Sequence, residues 1–128
     1  MITALYASLL TILMIGLSIQ VIKQRRKNRV AYADGDVEPL KIARSAQSNA
    51  VEYIPITLML MGFAEFNGLP MWLVHVIGVS FVIGRLIHAK GILGGWFRGR
   101  ILGMQITLLC MLSLIVLNLV YLPFDKIF

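Results

Sequence analysis

Long apolar runs separated by short polar segments dominate the pattern of this chain. Each of four runs approaches the ~20 residues that an α-helix needs to cross the hydrocarbon core of a bilayer. The first run has neither a basic region ahead of it nor a small-residue cleavage site, so we expect a retained span rather than a signal peptide. The pattern therefore predicts four membrane-spanning helices at about residues 2–22, 46–66, 71–88 and 101–122.

The polar segments between these runs carry the signals of connections. Residues 30–43 are polar, with a turn signal at Asp34-Gly35, and we expect Pro39 to precede a new helix. A tight turn, FNGLP, follows at 66–70. Residues 89–100 hold four glycines and three basic residues, and we interpret them as a short mobile connection.

The composition is also that of a membrane protein. The chain has 128 residues, of which 59% are hydrophobic, and its mean hydropathy is +0.84, whereas a soluble domain is roughly 45–50% apolar. The single cysteine, Cys110, excludes an internal disulfide and a cluster of several thiolate ligands, so no metal site is expected. We predict one all-α membrane domain over 1–128, a four-helix transmembrane bundle.

The basic residues give the orientation. The net charge is +6, but Lys and Arg cluster after the first and third apolar runs, which is the pattern of cytoplasmic loops rather than of a nucleic-acid interface. We therefore expect a multi-pass inner-membrane protein with both termini on the outer, periplasmic side and no nucleic-acid partner.

Polar residues inside the second run indicate a site. Asn49, Glu52 and Tyr53 share one helix face because residues three and four apart are neighbours. Ionisable groups at membrane depth usually mark function, although Glu52 has the alternative role of pairing with an arginine to fix helix register. Gln47 lies roughly 200° around the helix from Asn49. Two polar faces at one depth predict an oligomer with a site between chains.

Three stretches resemble the MAPEG family, the membrane-associated proteins of eicosanoid and glutathione metabolism. The run AQSNAVEYIP at 46–55 is similar to the second-helix signature A-Q-x-N-x-x-E-Y-x-P, and SIQVIKQRRKNRV at 18–30 resembles the end of helix one in the leukotriene C synthase branch. The resemblance covers nearly the whole chain and favours the small bacterial inner-membrane members. A third, weaker match consists of Gly84-Arg85-Leu86, His88, Gly91 and Arg100.

This resemblance implies a homotrimer that binds glutathione, as co-substrate, between adjacent subunits near the cytoplasmic face. It implies a transferase or peroxidase acting on small apolar electrophiles that arrive from the membrane lipid. Arg100 matches the arginine that stabilises the thiolate, and His88 stands where the family has a tyrosine. The other expected glutathione ligands are Asn49, Glu52 and Tyr53 of one subunit, with Gln47 and Arg25 of its neighbour.

These residue types suit the chemistry of glutathione. Arginine forks bind carboxylates, and a carboxylate such as Glu52 suits the ammonium group. A nearby guanidinium in a partly dry site lowers the pKa of a thiol, and a fall of roughly two units corresponds to about 2.7 kcal/mol of differential stabilisation.

Departures from the family pattern leave alternatives open. Ser45 replaces a family arginine, Arg44 lies one position earlier, and Ile92 replaces a second tyrosine. Arg98 competes with Arg100 for the thiolate. Leukotriene synthesis itself is therefore not expected. The alternatives to a thiol enzyme are a non-catalytic membrane protein of the same fold and a small multidrug exporter, whose carboxylate would instead lie in helix one.

Two further residues give expectations that a structure can test. We expect His75, near the outer start of the third run, to be a satisfied interfacial histidine. Arg85 shares a helix face with His88, and it pairs with either Glu52 or a lipid phosphate.

Overall fold

Four α-helices make up the protein in a computed structural model that describes residues 1–127. A short 3-10 turn follows them, and no strand occurs in that range. The predicted all-α, four-helix architecture is confirmed. The elements are α1 (Thr3–Asn28), α2 (Glu38–Phe66), α3 (Met71–Leu93), α4 (Phe97–Val120) and the turn Phe124–Lys126.

Three of the helices, α1, α3 and α4, are long and apolar enough to cross a membrane. α2 has 29 residues and is long enough, but it is not among them because polar residues such as Gln47, Asn49 and Glu52 lower its hydropathy. α2 contacts all three other helices, whereas α1 and α4 share no contact within the described chain. α3 also contacts the three other helices, so the polar helix is one of two central elements of the bundle.

The connection between α3 and α4 is shorter than predicted. α3 continues to Leu93 and α4 begins at Phe97, so only residues 94–96 lie outside the helices. Gly94 ends α3 by donating its N–H to the Lys90 carbonyl at 2.9 Å, and Gly95 adopts a left-handed φ of 66° that few side chains tolerate.

Glycines inside the helices bring the backbones of α3 and α4 together. A Cβ on Gly103 would lie 2.5 Å from the backbone nitrogen of His88 and 2.6 Å from the carbonyl oxygen of Gly84. A Cβ on Gly91 would meet the backbone of Arg100. The close approach fixes His88 beside the first turn of α4.

The connection between α1 and α2 contains the predicted turn at Asp34. The Asp36 N–H donates to Asp34 Oδ1 at 2.9 Å, and Lys41 Nζ lies 2.7 Å from Asp36 Oδ1. α2 then begins at Glu38, so Pro39 lies within its first turn and not ahead of the helix as expected. α2 remains helical through Pro55.

The two ends of the bundle differ in charge. The basic end contains the C-terminal ends of α1 and α3 and the N-terminal ends of α2 and α4. Arg25, Arg26 and Lys27 lie there in the last turn of α1. At the opposite, neutral end, Tyr6 Oη lies 2.7 Å from His75 Nδ1, so His75 is satisfied as expected. Cys110 is buried between the ends.

Candidate functional site

A groove of about 480 Å³ opens between α2, α3 and α4 toward the basic end. Its volume falls within the roughly 300–1,000 Å³ of small-molecule sites. One wall is apolar and consists of Ile92, Phe97, Ile101, Met104 and Leu108. The polar lining residues are Ser45, Asn49, His88, Arg100 and Gln105. Three residues predicted for the site, Asn49, His88 and Arg100, therefore meet in one groove.

Arg85 supports the floor of this groove. Its side chain is 1% exposed, its Nη2 donates to Asn49 Oδ1 at 2.6 Å, and its guanidinium carbon lies 5.9 Å from the centre of the Tyr53 ring. The Nε and Nη1 atoms have no partner within residues 1–127. The partner of Arg85 in this chain is Asn49, which differs from both sequence-based alternatives, Glu52 and a lipid phosphate.

His88 is held by the backbone of α4. Its Nδ1 lies 2.8 Å from the carbonyl oxygen of Arg100. A carbonyl only accepts, so Nδ1 carries the proton and Nε2 of the neutral ring is an acceptor. That Nε2 is buried, and it has no partner in the described part of the chain. His88 thus forms the inner wall of the groove in a fixed orientation.

Arg100, and not Arg98, reaches the groove. Arg100 also lines an adjoining cavity of about 250 Å³ that contains Lys41 and Ser45. Arg98 is exposed and lines neither cavity, because it lies roughly 200° around the helix from Arg100. Of the two candidate arginines, the geometry favours Arg100.

Position 45 supplies a hydroxyl rather than a cation. Ser45 lines both cavities, and its hydroxyl donates to the Lys41 carbonyl at 2.9 Å. Arg44 points to the connection, where its Nη1 lies 3.8 Å from Asp34 Oδ2. The hydrogen bond with Asp36 raises the pKa of the Lys41 ammonium group, which stays charged beside the adjoining cavity.

The remaining predicted residues lie on other sides of the chain. Glu52 is exposed and forms no ion pair with any described residue. Gln47 faces α1, where its Nε2 donates to Ser18 Oγ at 3.1 Å. Arg25 Nη1 donates to the Ala33 carbonyl at 2.9 Å. Within a single chain, the residues predicted to bind glutathione therefore do not all meet in one site.

Gln105 is a lining residue that sequence reasoning missed. It lies in α4 and contributes an amide to the groove. An amide inside an otherwise apolar span was the available signal, since polar groups at membrane depth usually face the protein interior.

Comparison with known proteins identifies the class. The MAPEG family matches residues 3–120, and the chain belongs to this family. Two curated relatives are the inner membrane proteins YecN of Escherichia coli strain K12 and of Escherichia coli O6:H1. Each is 41% identical over 128 residues, which is 100% of this chain and 98% of the relative. Both the family prediction and the similarity to small bacterial inner-membrane members are confirmed.

These relatives also bear on location. They are inner-membrane proteins by name, and three apolar helices in this chain agree with a multi-pass membrane protein. The name YecN states no activity.

Proposed function

We propose that this protein is a glutathione-dependent transferase or peroxidase of the inner membrane that acts on small apolar electrophiles. The observation that carries the proposal is the groove, where Asn49, His88 and Arg100 face an apolar wall that ends in Leu108. A thiol from the aqueous phase and an apolar molecule from the bilayer would meet there.

Arg100 is the group that we propose for the thiolate. Its guanidinium is exposed at the groove and has no carboxylate partner among the described residues. A cation attracts a thiolate more strongly where apolar walls reduce the local dielectric constant. Asn49 is positioned to help, because its Oδ1 is occupied by Arg85 and its Nδ2 donors are left for a ligand.

Two reactions follow from a bound thiolate. In transfer, the thiol releases its proton to water, and the sulfur then forms a bond to an electrophilic carbon and expels the leaving group. In reduction, the sulfur attacks a hydroperoxide O–O bond, which gives an alcohol and a sulfenic acid. A second glutathione thiol converts the sulfenic acid to a disulfide and water.

We propose that the complete site forms between subunits of a homotrimer. Glu52 is an exposed carboxylate on a central helix and has no ion-pair partner among the described residues, and a neighbouring subunit that closes over it would hold the glutathione ammonium there. Gln47 and Arg25 lie on the α1 side, where they would face the site of a neighbour.

Isothermal titration of detergent-solubilised protein with glutathione tests the binding. Arg100→Ala and Glu52→Gln should each weaken binding by about 1 kcal/mol or more. Arg98→Ala is the matched control, since it removes an equal charge from the same helix turn outside the groove. An absence of heat at millimolar glutathione, or equal losses for Arg98→Ala and Arg100→Ala, would contradict the proposal.

A non-catalytic member of the fold is the second candidate. It is favoured by one observation: Ser45 places no cation in the groove, and Arg44 is directed to Asp34 instead. An assay of glutathione conjugation to 1-chloro-2,4-dinitrobenzene distinguishes the enzyme from the non-catalytic protein. Rates in wild type and Arg100→Ala that both equal the background would favour the non-catalytic protein. A proton-coupled exporter is not favoured, because α1 contains no acidic residue.

A further inference from the structure

The helices α1 and α3 are in close contact near the neutral end, and a groove lies between them toward the basic end. Near the neutral end the ring of Tyr6 packs on Gly78, where an added Cβ would lie 2.5 Å from Tyr6 Cδ2. Further along α1, Gly16 has no atom within 4 Å of its Cβ position. The groove has a volume of about 540 Å³ and is here called the α1–α3 groove.

This groove is apolar along its length and polar at its basic end. Leu13, Leu17 and Leu86 line its length, and Gln20 and Lys90 lie at the end. Lys90 is in the last turn of α3. In a bilayer, an apolar channel with a cation at the level of the lipid headgroups has the shape and charge of a phospholipid site.

A second cavity continues the α1–α3 groove toward the start of α2, where Pro39, Ile42 and Ala43 form its apolar side. This headgroup cleft, of about 360 Å³, shares Gln20 and Leu93 with the groove and adds Gln24 and Glu38. Glu38 is exposed in the first turn of α2, and neither Glu38 nor Lys90 forms an ion pair with another described residue. The nearest cation along α2, Lys41, is already paired with Asp36.

We propose that the α1–α3 groove and the headgroup cleft together bind one phospholipid with an ethanolamine head. The acyl chain occupies the groove beside Gly16, the phosphate lies at Lys90, and the primary ammonium lies at Glu38. The two amides, Gln20 and Gln24, offer hydrogen bonds to the phosphate and glycerol oxygens. None of the residues that line this lipid site lines the groove proposed for the thiol, here called the thiol groove, but Glu38 also lines the cavity that adjoins the thiol groove at Arg100.

The two charges select the headgroup. A primary ammonium donates hydrogen bonds to a carboxylate, which strengthens the contact with Glu38. A choline head carries the same charge without a donor. A glycerol head carries no cation, so the Glu38 carboxylate would gain no opposite charge in the cleft. Ethanolamine is therefore the head that complements both Lys90 and Glu38.

Native mass spectrometry of the full-length protein tests this site. Delipidated protein in detergent is mixed with equal amounts of phosphatidylethanolamine, phosphatidylglycerol and phosphatidylcholine of the same acyl chains. We expect the ethanolamine lipid to be retained at least fivefold over the other two. A preference for phosphatidylglycerol, equal retention of all three lipids, or no retained lipid because another subunit covers this face, would overturn the proposal.

Three variants locate the lipid. Gly16→Leu should abolish retention, because the side chain enters open space in the groove without a backbone clash, and circular dichroism should confirm an unchanged fold. Lys90→Gln should lower retention of all three lipids at least threefold. Glu38→Gln should remove the preference for ethanolamine while lipid is still retained.

Lys27→Gln is a control outside both cavities and should change none of these values. Unchanged lipid retention in Gly16→Leu would refute the site.

Discussion

Arg85 of α3 and Asn49 of α2 are joined by a hydrogen bond of 2.6 Å from Nη2 to Oδ1. The arginine is buried and the asparagine reaches the surface of the candidate thiol groove. This one contact holds a cation inside the bundle and also fixes which amide atoms face a ligand.

Asn49→Ala should destabilise the protein by about 2 kcal/mol, because it removes a hydrogen bond to a charged group and leaves the buried Arg85 cation without a hydrogen-bond partner among the described residues. Thermal unfolding in detergent measures the loss. Ser45→Ala is the control on the same helix, because its hydroxyl bonds only within α2. A shift in Tm no larger than that of Ser45→Ala would contradict this assignment.

Arg85→Met should partly rescue Asn49→Ala. Replacing a buried ionic group with an apolar one of similar shape is often neutral, whereas leaving it unpaired is costly. The double variant is therefore expected to unfold at a higher temperature than Asn49→Ala alone. Additive losses from the two substitutions would show that the residues do not interact energetically.

The number and order of helices were predictable from hydrophobic pattern alone, and so were the turn at Asp34 and a helix start near Pro39. These features depend on residues close together in the chain. The extent of α3 and α4 was not predictable, because Gly91 and Gly99 signal a loop in sequence, whereas in the fold Gly91 packs on the backbone of α4 and Gly99 leaves room for the Trp96 ring. What a glycine does depends on the backbone packed against it.

The site was predictable only in part for the same reason. The spacing of Asn49 and Glu52 on one helix indicated a polar stripe, but the choice of partner for Arg85 depends on the register between α2 and α3. Gln105 drew no attention because it lies outside the family motif. The groove that joins it to Asn49 exists only once three helices are packed.

Gly103→Ala should destabilise the bundle by about 1–3 kcal/mol, the usual cost of overpacking. Its new methyl would lie 2.5 Å from the backbone nitrogen of His88, and backbone atoms cannot rotate away. Gly16→Ala is the matched control in α1, where the methyl meets no atom within 4 Å and helix propensity favours alanine. Thermal unfolding of both variants checks this, and equal Tm values would contradict the close packing of α3 and α4.

Glu65→Ala should remove the hydrogen bonds that hold the first turn of α1 in place. The Glu65 carboxylate accepts hydrogen bonds from the Ile2 N–H, from the Thr3 N–H at 2.8 Å and from the Thr3 hydroxyl at 2.6 Å. Hydrogen exchange of the amides at the start of α1 should therefore accelerate. Thr3→Ala removes only the hydroxyl contact and should cause a smaller change, whereas equal effects of the two variants would argue against a carboxylate cap.

Arg25→Ala should expose the connection between α1 and α2 to proteolysis. Its Nη1 donates to the Ala33 carbonyl at 2.9 Å, and it is the side chain that ties residues 29–37 to the end of α1. Limited digestion with proteinase K, followed by mass spectrometry, should show faster cleavage within this connection. Arg26→Ala, an exposed neighbour without a hydrogen bond to the connection, should digest at the wild-type rate. If Arg25 serves only to bind glutathione in the adjacent subunit, digestion without ligand will be unchanged by Arg25→Ala. Addition of glutathione will then protect wild type alone.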